Sequence, residues 1–428
     1  DIQGVATYSC ASDLAGGTGN LAANPQFVDA AGGDYRLLYG SPCIDAGTTN
    51  GVTPALTNDL AGASRPQDTY EGGAVPDMGA YERESYLSGP LACSFTNSPK
   101  VGLTSLNSAF TARIAGDPSA TNVVHYWWDF GDGYTQDGPV MRQVSHTFAP
   151  GRYAVVLTVL NSLGGIASFT EEAAVRVVTS NAYVATGGSA AYPFASWATA
   201  TTNLGAALEA AHIAAAEGAA DVRVWVGDGT FALVGMPLEI TRAIRVGSVN
   251  GPAATRVWRA AGLGRVFTLA HAGASVEGLT ITGGDVAEVS GQSYGGGVYV
   301  GAGTLRDCVV RGNKVRATQD SVEARGGGVY IVEGLVENCS VVSNAQVNVH
   351  PYTAGVGGGV YMTGGRIRLS NISSNEINGW RCQQGGGLFL SGGTAECCRV
   401  VHNNAAGDAV HGDTGRPTGG GGIRMKGG

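Results

Sequence analysis

Three kinds of side chain recur in this sequence at positions where they could do chemistry. Tyr299, Tyr330, Tyr361 and Phe389 recur at one position as outward aromatics; stacked about 5 Å apart, such rings make a stripe that can pack on sugar rings or brace neighbouring strands. Asn313, Asn344, Asn375 and Asn403 recur at another, where amides can bond in a ladder or hold a ligand. Cys308, Cys339 and Cys398 share a third, with Ser370 between them, and that replacement favours packed core thiols over disulfides. Outside the repeats, Asp129 and Asp132 stand beside glycines, where carboxylates can ligate calcium, although turn stabilisation is the commoner use. His146 has the right type for a general base but lacks a nucleophile or carboxylate motif around it, so it reads as a packed ring. Polysaccharide cleavage would need a base or a carboxylate pair on one outer face, often with calcium to neutralise a uronate. Arg306 and Glu337 are instead isolated outward charges that change between repeats, and the column of Asp307 and Asn338 continues as Leu369 and Cys397. No catalytic residue is assigned.

These columns hang on a repeat. A glycine triplet opens at Gly295, Gly326, Gly357, Gly385 and Gly420 with variable spacing, the mark of a constant scaffold carrying loops of variable length. After it, Val298, Val329, Val360, Leu388 and Ile423 alternate with the aromatic column and with Val300, Ile331, Met362, Leu390 and Met425. That period of two predicts a strand with one buried face. A further glycine follows (Gly303, Gly334, Gly365, Gly393, Gly428), then apolar columns at Leu305, Val336, Ile367 and Ala395 and at Val310, Val341, Ile372 and Val400. Each repeat therefore holds about three short strands, and one repeat cannot bury its apolar side alone. Stacking coils about 4.8 Å apart solves both problems, and the expectation is an all-β, right-handed parallel β-helix.

Before the repeats, Leu204, Leu208, Ala211 and Ala215 lie at helical spacing, ended near Gly218, and Val222, Val224 and Val226 alternate as a strand. A helix and strand in this order suit an N-terminal cap over the open end of a coil stack. With Asn181-Ala182-Tyr183-Val184 and Ser196-Trp197-Ala198-Thr199, this region resembles the pectate-lyase-like β-helix superfamily of bacterial exported proteins. The glycine-triplet coils resemble polymorphic outer-membrane-protein and adhesin repeats. That resemblance covers residues 179–428 and implies a fold rather than an activity, because the same solenoid serves lyases, hydrolases and inert stalks.

Upstream, residues 86–178 form a short-strand pattern with turns, read as an Ig-like antiparallel sandwich. Trp127-Trp128-Asp129-Phe130-Gly131-Asp132-Gly133, Ser145-His146-Thr147-Phe148 and Gly151-Arg152-Tyr153 resemble the PKD (polycystic-kidney-disease) domain, which implies an extracellular spacer or weak binding module. Residues 1–85 carry Asn24-Pro25-Gln26-Phe27-Val28-Asp29, Asp34-Tyr35-Arg36-Leu37, Gly40-Ser41-Pro42-Cys43-Ile44-Asp45-Ala46-Gly47, Arg65-Pro66 and Asp77-Met78-Gly79-Ala80-Tyr81-Glu82. They resemble the closing segment of choice-of-anchor Q β-helices, which implies the end of a preceding solenoid.

Composition narrows the function class. Of 428 residues, 69 are glycine and only 14% are charged, the formal charge is -8, and no cluster of Lys or Arg occurs, which argues against nucleic-acid binding. No apolar run is long enough to span a membrane. Asp1-Ile2-Gln3-Gly4 and Gly428 both fall within repeats, so an excerpt of a longer chain is expected. Among eight cysteines, Cys10 with Cys43 is the pair to test for a disulfide; Cys93 lies outside the repeats and Cys382 in a variable loop. The expected protein is a non-catalytic structural or adhesive module of a bacterial surface or extracellular protein, stalk- or fibre-forming. Its partners would be other modules of the chain, further copies of itself, or glycans and host or cell surfaces, and it would need no cofactor beyond structural calcium. The alternative is a polysaccharide-binding or polysaccharide-cleaving β-helix protein whose active coils lie elsewhere.

Overall fold

The computed structural model describes residues 7–11, 17–37, 41–48, 57–62, 64–65, 75–82, 91–116, 122–162, 164–287, 293–317, 324–348, 355–379, 383–407 and 421–426. Asp1–Gly4, Gly40, Pro66, Cys382, Gly420 and Gly428 lie outside the described residues. Among the described residues the fold is all-β with one short helix, and it contains a parallel β-helix and an Ig-like sandwich.

In the solenoid, three parallel stacks carry the core. One runs through Val298–Val300, Val329–Ile331, Val360–Met362 and Leu388–Leu390, a second through Thr304–Arg306, Leu335–Glu337, Arg366–Arg368 and Thr394–Glu396. The third runs through Val309–Arg311, Ser340–Val342, Asn371–Ser373 and Arg399–Val401. The register is strict: Leu305 pairs with Val336 and Val336 with Ile367, so each inward column sits on its own copy and is buried as far as Ile367 and Ile372, whereas the last members, Ala395 and Met425, are exposed. From Asp285 onward the coils hold up to five strands among the described residues, not three. Lys314–Ala317 and Ala324–Arg325, with their copies in the following coils, add two narrow sheets on either side of the variable loop. They escape the column reading because their columns do not keep one residue type: Val315 stacks on Gln346 and then Ile377, and Ala324 on Gly355 and then Gln383.

The glycine triplet has a steric cause. Its first residue takes a left-handed φ, +57° at Gly295, +66° at Gly326, +69° at Gly357 and +63° at Gly385. At the second, an added Cβ would collide with the carbonyl of the glycine one coil on (Gly296 against Gly327, Gly327 against Gly358). At the third, a Cβ would lie 2.8 Å from Asn313 Nδ2 at Gly297 and 2.8 Å from Asn344 Nδ2 at Gly328. Triplet and asparagine are one device: the glycines clear the space the amide occupies.

The stack opens under helix α1, Leu204–Ala216, whose N-cap Asn203 accepts a hydrogen bond from the Ala206 amide. Leu204, Ala207, Leu208, Ala211 and Ala214 face the solenoid core and close it above the first strands, Asn181–Val184 and Val222–Val226.

The sandwich pairs a three-stranded sheet (Ala92–Ser98, Leu106–Ala115, Gln143–Phe148) with a five-stranded one (Val101–Leu103, Ile166–Val178, Gly151–Asn161, Val123–Asp129, Thr135–Gly138). Phe95, Phe110, Trp128, Phe130 and Phe148 interlock as its core, with ring centroids 5.4–6.4 Å apart, over Val155, Leu157 and Val159.

Among the described residues of the first 82, the strands are Phe27–Asp29 and Asp34–Leu37, an antiparallel pair rather than stacked coils. Leu37, Cys43, Ile44 and Met78 gather into a small apolar cluster there.

Candidate functional site

The asparagine column is a continuous buried ladder. Asn313 Nδ2 donates to Asn344 Oδ1 at 3.0 Å, Asn344 Nδ2 to Asn375 Oδ1 at 3.0 Å, and Asn375 Nδ2 to Asn403 Oδ1 at 2.9 Å. Each Oδ1 also accepts the backbone amide of the coil before it, as Asn344 Oδ1 does from Asn313 N at 3.1 Å, and each Nδ2 also donates to carbonyls such as Val310 O at 2.9 Å from Asn344. Every polar atom of the amide is engaged, which removes the desolvation penalty and leaves nothing to offer a ligand.

Cys308 and Cys339 are buried and unbonded, and their thiols donate to carbonyls of the preceding coil, Cys308 to Val276 O at 3.6 Å and Cys339 to Leu305 O at 3.5 Å. Ser370 occupies the same column, donates to Arg368 O of its own coil at 2.8 Å and accepts the Cys339 amide at 3.1 Å. Cys398 repeats the pattern half-buried. Burial pushes the Cys308 and Cys398 thiols up, away from the reactive thiolate.

The aromatic column stacks face to face, with centroids at 5.5 Å for Tyr299–Tyr330, 5.2 Å for Tyr330–Tyr361 and 5.2 Å for Tyr361–Phe389. It is not an open stripe. Tyr330, Tyr361 and Phe389 are only 6%, 6% and 5% exposed. The chain before each triplet folds back over them: Tyr294 stacks on Tyr330 at 4.6 Å, Val356 joins the cluster, and the Arg325 guanidinium lies 5.2 Å from the Tyr361 centroid. Arg265 covers Tyr299 in the same way at 4.9 Å. Outward parity gave the side of the strand correctly, but the covering strand turns these rings into a second, smaller core, so they present no platform to a sugar.

The isolated charges also prove to be a column. In register, Glu277, Arg306, Glu337, Arg368 and Glu396 follow one another with alternating sign. Glu337 holds Arg306 Nε at 3.0 Å on one side and the Arg368 guanidinium on the other, and Glu396 lies 3.6 Å from Arg366. A second knot joins Asp285 to Lys314 at 3.1 Å and to Arg316 through Nε at 2.7 Å. Reading each column for like residues hides this ladder, whereas reading it for complementary neighbours exposes it. Asp307 and Asn338 are joined by a 2.6 Å hydrogen bond and occupy a left-handed turn, φ +53° and +50°, that continues through Leu369 and Cys397. That column is set by backbone geometry.

In the sandwich, Asp129 Oδ1 accepts the Gly131 amide at 2.9 Å and Asp132 Oδ1 the Tyr134 amide at 3.0 Å, both turn contacts. Asp132 Oδ2 lies 2.7 Å from His146 Nε2. His146 is stacked against Phe130 at 4.4 Å and against Tyr134 at 4.8 Å. Burial alone would raise the Asp132 carboxyl, but the bonds from His146 and the Tyr134 amide outweigh it and hold it below the usual range. Among the described residues no group of three His, Cys, Asp or Glu side chains is arranged to hold a metal ion.

Cys10 and Cys43 meet in the N-terminal cluster with both thiols free, and burial beside the Cys10 thiol pushes the Cys43 thiol up to about 12.

One feature of the sandwich surface was hidden in the motif itself. In Val123–Asp129 alternate side chains face opposite ways, so Trp128 is 1% exposed in the core while its neighbour Trp127 is 39% exposed on the outer face. Two adjacent tryptophans on a strand cannot both be core.

Residues 103–177 match the family model of the PKD domain. No curated protein matches the chain. A solved structure reported as the structural basis for the promiscuous specificity of carbohydrate-binding modules from the beta-sandwich super family is 26% identical. The match covers 24% of this chain and 40% of that one, at a TM-score of 0.20, too slight a likeness to say anything of shape or ligand. Among the described residues no helix is long and apolar enough to cross a membrane.

Proposed function

We propose that this chain is a non-catalytic structural and adhesive part of a large modular protein of the cell surface or extracellular space, with the β-helix as a stalk. One observation carries the reading: each constant column of the repeat is spent on the next coil. Asparagine bonds asparagine, ring stacks on ring, and glutamate pairs with arginine above and below. Such a rod gains stability with every coil and keeps its polar groups occupied. PKD domains occur in extracellular proteins, which supports the location. The resemblances to adhesin repeats and to a choice-of-anchor Q closing segment belong to the same proposal, with residues 1–85, 86–178 and 179–428 as three successive modules. The purified chain, incubated with polyuronates and neutral glycans, should release neither unsaturated products nor new reducing ends. Sustained turnover of any of them would overturn the stalk reading.

A further inference from the structure

On the outer face of the five-stranded sheet in the sandwich, Trp127 is 39% exposed with hydrogen-bonding side chains set around it. Trp127 lies at the centre of a row. Cross-strand register puts Asp137 directly on one side of it and Thr158 on the other. The Thr158 hydroxyl is 2.9 Å from that of Ser168, which extends the row to a fourth strand. The His125 ring lies against Trp127 with centroids 4.3 Å apart and planes at 36°, and its Nε2 is 2.9 Å from Asp137 Oδ2. Opposite His125 and Asp129, the half-buried Leu160 and Val156 give the row an apolar border.

We infer that this row is a glycan-binding site for neutral sugars, deepening the adhesive reading on which it rests. The flat face of an indole offers apolar contact to the axial C–H groups of a pyranose ring. Fixed hydrogen-bonding groups around it are what a sugar needs to be held in one orientation. Asp137 accepts from sugar hydroxyls while His125 braces it, and the Thr158–Ser168 pair both donates and accepts. Strands about 4.8 Å apart make the four-strand row about 14 Å long, which accommodates a short oligosaccharide rather than a single ring. The charge beside the indole selects the class. Asp137 stands next to Trp127 across the strands and Asp129 two residues along its own, no lysine or arginine stands in the row, and a uronate would meet like charge there.

The test uses the full chain with cellohexaose, chitohexaose and mannohexaose as neutral probes and oligogalacturonate as the anionic one, read by titration calorimetry and by tryptophan fluorescence. At least one neutral probe should bind, and oligogalacturonate should bind more weakly. Trp127→Ala should lower affinity about tenfold or more, equivalent to about 1.4 kcal/mol, whereas Trp127→Phe should keep part of it. Trp258→Ala, which removes a ring equally exposed at 40% on a solenoid strand, should change nothing. Circular dichroism of each variant keeps loss of binding separate from loss of fold. Binding that survives Trp127→Ala, a preference for oligogalacturonate, or no binding of any neutral probe overturns the site. Turnover of a probe, by contrast, would count against the stalk reading and leave the binding result standing.

Discussion

The sandwich and the solenoid solve the same problem, burying the faces of short strands, by opposite means. In the sandwich, residues far apart in the chain converge on one aromatic core, and pairings such as Trp128 with Leu157 join strands that are not neighbours in sequence. In the solenoid, each strand meets its own copy from the coil before, and stability is a sum of nearly identical interfaces. The difference extends to the surface. A stacked column is satisfied by its neighbours even when it faces outward, as Tyr330 and Glu337 are, whereas an outward side chain of the sandwich has no copy of itself to mate with. Trp127 is such a side chain: Asp137, Thr158 and His125 stand around it and none of them repeats it.

The largest effect that separates the two regions should come from Trp128→Ala. Emptying the centre of the aromatic core costs about 3–5 kcal/mol, enough to unfold a small domain, and the loss should stay within the sandwich. Hydrogen exchange measured along the chain should show residues 92–178 losing protection together while coils from Val298 onward keep theirs. Joint collapse of both regions would break the comparison. Asn344→Ala comes next and should behave differently. It strips Asn313 N and Nδ2 of their acceptor and the Val310 and Val342 carbonyls of their donor, so about 2–4 kcal/mol is expected from groups left buried and unpaired. Protection should fall in the coils on either side of Asn344 and recover with distance, a graded profile in place of the all-or-none response of the sandwich.

Legibility in the sequence follows the same division. The solenoid could be read because a repeat states each contact several times: Val298, Val329 and Val360 declare one inward column between them, and the asparagines declare their ladder. Three of its features resisted. The strands at Lys314–Ala317 and Ala324–Arg325 mix apolar and polar residues within one column, as Val315 with Gln346 and Ala324 with Gln383. The cover over Tyr330 lies in loops of unequal length and composition, so Tyr294, Arg325 and Val356 do not look like one column although they stack as one. The charge ladder repeats every second coil, and Arg306 against Glu337 reads as noise until the register is known. The sandwich was legible only through a motif, and the motif marked its core. That Trp127 must face away from Trp128 was present in strand alternation, but nothing in one strand says which residues stand beside it, since Asp137, Thr158 and Ser168 come from three other segments.

The smallest predicted effect tests whether stacking changes what a surface ion pair contributes. In the sandwich, Lys100 and Glu171 form a lone pair at 2.6 Å with the lysine side chain largely exposed, and such pairs contribute little. Glu337 has the same chemistry in a different setting: its side chain is 14% exposed and it stands between two arginines that its charge keeps from repelling one another. Glu337→Gln should therefore cost about 1 kcal/mol at low ionic strength, while Glu171→Gln should be near zero. Because the arginines left behind face solvent in part, added salt should shrink the Glu337→Gln effect, whereas the loss caused by Asn344→Ala, which involves no charge, should not respond. Denaturant melts of the three variants at low and high salt decide it. If Glu337→Gln is as silent as Glu171→Gln, the alternating column is only a consequence of coil register and contributes nothing to holding it.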